Sequence, residues 1–150
     1  MTNIVAHHTP EQDRRNKIIL TICLIIAVTL SIAVVVGRWN NGVDAQNHAV
    51  RVMFSVVNDY MNANEGAWPK SWQDLESFPS EGNWYDPVDY ELTKKHVVID
   101  FEPNLAEVSE QSPPEFQAIR PVNPVFDFGK DPRLVQLLIT VKRYHGETSE

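Results

Sequence analysis

Residues 18–36 form an apolar run of nineteen with no charge and no proline, and no other stretch restricts the possible folds as severely. Thirteen of the nineteen are Ile, Leu or Val; the rest are Thr21, Cys23, Ala27, Thr29, Ser31 and Ala33. As a helix rising about 1.5 Å per residue, the run spans roughly the 30 Å hydrocarbon core of a bilayer. Each central Ile, Leu or Val favours insertion by roughly 0.3–0.6 kcal/mol, and no ion within the run opposes it. A core helix of a water-soluble protein would need a domain able to wrap it on every side, and the 108 residues after Gly42 are a poor candidate for one. The sequence therefore predicts a single transmembrane helix over residues 18–37. Its anchoring residues are Ile18, Leu20, Leu24, Ile26, Leu30 and Val36, and its first partner is the lipid bilayer.

Charge sets the expected orientation. Arg14, Arg15 and Lys17 abut one end of the run, whereas the other end offers only Arg38 and then Arg51. Bases near a span stay on the cytoplasmic side, so residues 1–17 read as a cytoplasmic tail and residues 43–150 as an extracytoplasmic domain of a cell-membrane protein. A cleaved signal peptide is the main rival reading. Its apolar region would be shorter, about 7–15 residues, and would end in a small-x-small site. Val34-Val35-Val36-Gly37-Arg38-Trp39 offers no such site, so the segment reads as an uncleaved signal anchor, with Trp39 suited to the headgroup layer.

From residue 39 onward eighteen acids face nine bases. So acidic a body argues against nucleic acid, which rewards clustered Lys and Arg. The one cysteine, Cys23, lies inside the apolar run, so no intrachain disulfide forms.

Beyond the span the pattern changes. Two glycines and two asparagines in residues 37–42 predict a break or kink in the helix. Asp44 then reads as an N-cap, and Ala49, Val50, Met53, Val56, Val57, Tyr60 and Met61 recur at i, i+3, i+4, i+7, the stripe of an amphipathic helix. Arg51, Ser55, Asn58, Asp59 and Asn62 take the other side, and Asn64-Glu65-Gly66 ends the helix with Gly66 at C′. Ser71 and Asp74 have capping-box spacing for a short helix carrying Trp72, Leu75 and Phe78 and stopped by Pro79. Trp68 and Trp72 read as covers of a small core rather than as a ligand ledge.

Residues 79–93 read as a loop. Its acids Asp86, Asp89 and Glu91 lack the spacing and central glycine of an EF-hand, so they read as solvated. Strict alternation over residues 96–102 predicts a strand with Val97, Ile99 and Phe101 inward. Residues 103–114 read as an exposed connection, residues 116–120 as a short strand, and Pro121, Pro124 and Pro132 as brackets of another connection. Residues 134–144 read as the strongest strand, with Val135, Leu137, Ile139 and Val141 inward and only Leu138 breaking the alternation. The expected fold class is α+β: the transmembrane helix, then an amphipathic helix packed on a three- or four-stranded antiparallel sheet, with Trp68 and Trp72 sealing one end.

Chemistry-bearing motifs are sparse. The pair His7–His8 has nothing nearby to complete a metal site. His48, His96 and His145 are scattered, and no nucleophile elbow, P-loop, H-E-x-x-H or C-x-x-C occurs. Asp127-Phe128-Gly129 lacks the other parts of a kinase. The chain is expected not to be an enzyme, with no cofactor and no catalytic or metal-binding residues.

One stretch carries a family likeness. Residues 49–75 join a helix ending in Tyr60-Met61-Asn62-Ala63-Asn64-Glu65-Gly66 to Trp68-Pro69-Lys70-Ser71-Trp72-Gln73-Asp74-Leu75. Helix end, glycine, aromatic-proline and short helix in this order resemble the type IV pilins and type II secretion pseudopilins, here in a divergent form. The resemblance implies a long N-terminal helix under a small pilin-like α+β head. Asn16-Lys17-Ile18 stands where that family carries a glycine-phenylalanine cleavage junction, and the apolar run lacks the family's glutamate. The N-terminus is accordingly expected to be retained.

The function expected from the sequence is that of a membrane-anchored envelope protein presenting a small structural or interaction domain to a protein partner. One alternative is a pseudopilin-like subunit of a secretion or pilus assembly. The other is an extracytoplasmic enzyme or ligand-binding domain whose site comes from sequence-distant residues. Orientation is directly testable. A reporter fused after Glu150 should be active when it requires an extracytoplasmic location, and activity confined to a cytoplasmic reporter would reverse the assignment.

Overall fold

The computed structural model describes residues 10–79 and 82–146, so the His7–His8 pair and the chain after Gly146 lie outside the described residues. Two compact units divide the chain, Met1–Asn41 and Gly42–Glu150.

Helix α1 covers Pro10–Ala63. In its first part the large apolar side chains of residues 18–36 are 48–73 % exposed, and the segment is long and apolar enough to cross a membrane. Its hydroxyls are folded back on the helix: Thr21, Thr29 and Ser31 donate to the carbonyls of Lys17, Ile25 and Ala27, each at 2.8 Å. The helix thereby satisfies its own polar side chains and presents hydrocarbon outward. The expected break at residues 37–42 is absent, because α1 is helical through both glycines. Each helical glycine costs only about 1 kcal/mol, too little to interrupt a ladder already nucleated on both sides.

The later part of α1 belongs to the second unit and carries its core. Val50, Met53, Val56, Val57 and Met61 are fully buried, with Ala49 nearly so and Tyr60 packed on the edge. Val52 and Phe54 are buried as well, so the helix is covered on more than the one stripe. Phe54 meets the edges of Phe116 and Phe128, with ring centroids 6.1 and 5.7 Å away. Glu65 and Gly66 both adopt left-handed backbone, and the Gly66 N–H returns to the Met61 carbonyl at 2.8 Å. Gly66 also has no room for a side chain: a Cβ there would lie 2.4 Å from Cγ of Tyr144. Helix α2, Trp72–Glu76, starts as the sequence predicts, with the Ser71 hydroxyl accepting from the Asp74 N–H. The Asp74 carboxylate, however, accepts from the Lys70 N–H, one residue earlier than a capping box requires.

The sheet is smaller than expected. Strands β1, Val97–Ile99, and β2, Ile119–Pro121, pair antiparallel with Ile99 opposite Ile119, and they form the whole sheet among the described residues. The loop over residues 79–93 gives way to helix α3, Tyr90–His96, which the Asp89 carboxylate caps by accepting from the Leu92 N–H at 2.9 Å. The exposed connection over residues 103–114 contains helix α4, Leu105–Glu110, and a 3₁₀ turn, Pro113–Glu115.

The largest correction concerns the C-terminal segment. It is helix α5, Pro132–His145, rather than a strand. Pro132 sits in its first turn, where a missing N–H costs nothing, and the Asp131 carboxylate accepts from the Arg133 N–H at 2.9 Å. The buried set is Leu134, Leu137, Leu138, Thr140 and Val141, an i, i+3, i+4, i+7 stripe, while Val135 and Ile139 face solvent. Leu138, the residue that spoiled the alternation, was the helical signal. The α1 stripe thus shares one core with the α5 stripe as well as with Val97 and Ile99 of the sheet. Residue 139 would have been the core position of a strand, yet Ile139 is 49 % exposed and Leu137 is 0 %. Leu137→Ala should therefore cost about 2–5 kcal/mol and lower the melting temperature strongly. Ile139→Ala should stay within about 0.5 kcal/mol of wild type. Thermal melts followed by near-ultraviolet circular dichroism decide between these outcomes.

Candidate functional site

Three surfaces of the described residues offer function: the apolar face of α1 in the first unit, and two clefts in the second. All six anchoring residues named from the sequence, Ile18, Leu20, Leu24, Ile26, Leu30 and Val36, are exposed, as is Trp39. Trp68 and Trp72 take part in the core instead. The Trp68 indole donates to the Asp100 carbonyl at 2.8 Å, and Trp72 packs edge-on against Phe101 at 5.8 Å.

The first cleft, about 400 Å³, lies between the polar side of α1, the loop at residues 83–85 and the first turns of α5. One hydrogen-bond chain ties the loop to α1. The Asn83 amide donates to the Tyr85 hydroxyl at 2.9 Å, and that hydroxyl donates to the Asp59 carboxylate at 2.6 Å. Across the cleft, the Arg133 guanidinium lies 4.5 Å from the centre of the Trp84 ring, a cation–π distance. The His48 ring stands edge-on to Trp84 at 6.1 Å.

Electrostatics assign Tyr85 a fixed role. Burial, and then its hydrogen bond to Asp59, push the phenol above its ordinary value near 10. It remains a neutral donor at physiological pH rather than a base. The described lining also offers Ser55, Asn58, Asn83, Arg133 and Gln136, a set able to hold a ligand by hydrogen bonds and ring contact.

The second cleft, about 220 Å³, is lined by Phe54, Phe116, Phe126, Phe128 and several prolines. Its rim leaves Val125 and Phe126 exposed. Arg51 stacks over Phe126 at 5.5 Å and bonds Asp131 at 2.9 Å, which ties this rim to the start of α5. The Asp127-Phe128-Gly129 triplet is a local turn, the Asp127 carboxylate accepting from the Gly129 N–H at 2.8 Å with Phe128 buried.

The structure also places the residues considered as metal ligands. Asp89 caps α3, Glu91 lies 3.4 Å from Lys94, and the His145 ring contacts the Gly66 carbonyl at 2.7 Å. Among the described residues no group of three or more His, Cys, Asp and Glu is placed to hold a metal ion. Neither cleft was legible in the sequence. Ser55, Asn58 and Asp59 read as a solvent face, and their cleft partners lie roughly 25 and 75 residues further on, beyond any short motif.

Comparison with known proteins adds no relative: no family model, curated protein or solved structure matches the chain.

The Tyr85–Asp59 bond sets an alkaline limit on stability. The folded-state value of Tyr85 lies above the unfolded one, so its contribution is complete below about pH 10 and is lost as pH rises through the folded value. Tyr85→Phe should lose about 1–3 kcal/mol at neutral pH, since it removes the hydroxyl that donates to Asp59. Above about pH 10 its stability should decline less steeply than that of wild type. Denaturant titrations at neutral and alkaline pH measure both effects.

Proposed function

We propose that this chain is a single-pass membrane protein of the cell envelope that holds the Gly42–Glu150 unit outside the cytoplasm as an interaction domain. One observation carries the reading. The side chains of residues 18–36 are exposed along the whole run, and the hydroxyls among them are closed onto the helix. In water such a surface would drive aggregation; in lipid it is the low-energy surface. The outer unit has its own core, which leaves its clefts free for a partner. We read it as a binding module rather than an enzyme, because the Asp59 carboxylate in the larger cleft is engaged by Tyr85 rather than by the Ser55 hydroxyl.

A second reading, a pseudopilin-like subunit of a secretion or pilus assembly, draws support from α1 itself. That family builds on a long continuous N-terminal helix, and α1 remains helical across the expected break at residues 37–42. Against it stand Asn16-Lys17-Ile18 at the place of the cleavage junction and the absence of an acid in the run.

Extraction of membranes with alkaline carbonate tests the anchor. The full-length chain should remain in the pellet, and Leu24→Lys combined with Ile26→Lys should release a large share, since each central lysine costs about 2.5–3.5 kcal/mol. Release of the wild-type chain into the supernatant would overturn the membrane reading.

A further inference from the structure

The Trp84 cleft is made for a particular kind of ligand. Trp84 is 54 % exposed, whereas Trp68 and Trp72 of the same unit serve the core. The third large ring is instead mounted in a cleft wall, where the Arg133 guanidinium packs over it at 4.5 Å and the His48 and Tyr85 rings meet it edge-on, with the rest of its surface open. Around it the lining is hydrogen-bonding: Ser55, Asn58, Asp59, Asn83 and Gln136 join Arg133. The Asn58 amide oxygen is committed to Thr140, and the Asp59 carboxylate to Tyr85. The Ser55 hydroxyl, the Gln136 amide and the Trp84 indole N–H make no hydrogen bond among the described residues.

We infer that this cleft is a binding site for a neutral oligosaccharide. A pyranose ring presents an apolar C–H face, which stacks on an indole, and a rim of hydroxyls that both donate and accept. Planar amides, a carboxylate and a guanidinium meet those hydroxyls in pairs, and the lining here supplies all three. Among the described residues of the lining, the two ionised groups are already engaged within the fold, Arg133 by Asp131 and Asp59 by the Tyr85 hydroxyl, which favours a neutral ligand. An anion such as a phosphate ester would find one guanidinium facing a carboxylate. A purely apolar ligand would leave the open amides and hydroxyl of the lining without partners. A cavity of about 400 Å³ lies within the range of small-ligand clefts, roughly 300–1,000 Å³. The contrast with the other cleft sharpens the assignment. Its walls of phenylalanine and proline suit a protein segment, whereas the Trp84 walls do not. Every residue involved belongs to the Gly42–Glu150 unit, so the inference does not rest on the membrane reading.

The test uses the full chain in phospholipid nanodiscs, because alkyl glycoside detergents carry the ligand chemistry themselves. Chitotriose and cellotriose are titrated while the four tryptophan indole N–H signals are followed by nuclear magnetic resonance. The Trp84 signal, identified by its loss in Trp84→Phe, should shift saturably with at least one of the two sugars. Trp84→Ala should weaken binding at least tenfold and Gln136→Ala several-fold, while Phe126→Ala in the other cleft leaves it unchanged. Gln136 is exposed, so its substitution keeps the test valid if Trp84→Ala impairs folding. No saturable shift up to about 10 mM of either sugar, well past the weak-binding range, overturns the inference. Binding that neither cleft variant weakens overturns it equally. Trp84-dependent capture of a peptide with no response to the sugars overturns the ligand class.

Discussion

Thr140 and Asn58 meet between α5 and α1, and the packing of the Gly42–Glu150 unit depends on that contact. Thr140 is wholly buried on α5, and its hydroxyl donates to the Asn58 amide oxygen on α1 at 2.7 Å. A buried hydroxyl without a partner is costly, so this bond permits few alternative registers between the two helices. Two further ties agree with it: Arg51 with Asp131 at the start of α5, and the Gly66 carbonyl with His145 at its end. The pairs advance together along both helices, which therefore run parallel. Between the ties, Val50, Met53, Val57 and Met61 join Leu134, Leu137, Leu138 and Val141 in one core.

Both clefts follow from that register. Parallel packing brings the first turn of α5 beside the polar side of α1, where Arg133 and Gln136 face Ser55 and Asp59. The loop carrying Trp84 is then closed over this gap by the Tyr85 bond to Asp59. The same packing leaves the residues ahead of α5 to fold back over Phe54, which creates the Phe126–Phe128 cleft. A slip of one turn of α5 along α1 would separate Thr140 from Asn58 and Arg51 from Asp131 together. The proposed ligand surface and the core thus share one set of constraints.

The two strands contribute little area, yet they hold distant segments in place. Asp100 accepts from the Trp68 indole, and the His96 carbonyl accepts from the Val122 N–H, so the short β1–β2 pair links the helix end at residue 66 to the approach of α5. Next to this pairing the buried Gln46 side chain accepts from the Asn123 N–H at 3.1 Å and binds the chain leaving β2. Short strands suffice because the helices supply the buried area.

Composition and periodicity alone determined the apolar run, the α1 stripe, the turn at Glu65-Gly66 and the Ser71 cap, because each is a local property of a few consecutive residues. Composition could not separate helix from strand over residues 134–144. There Val135, Leu137, Ile139 and Val141 fit period two, while Leu134, Leu137, Leu138 and Val141 fit period 3.6. Tertiary structure decided it, because the helical form turns Leu134, Leu137, Leu138 and Val141 together into the shared core and sets the Thr140 hydroxyl on Asn58. The break expected at residues 37–42 failed for a related reason: propensity is weak beside the cooperativity of a helix stabilised on both sides. The Trp84 cleft was beyond any local reading, since its residues come from three separate segments that only the α1–α5 register brings together.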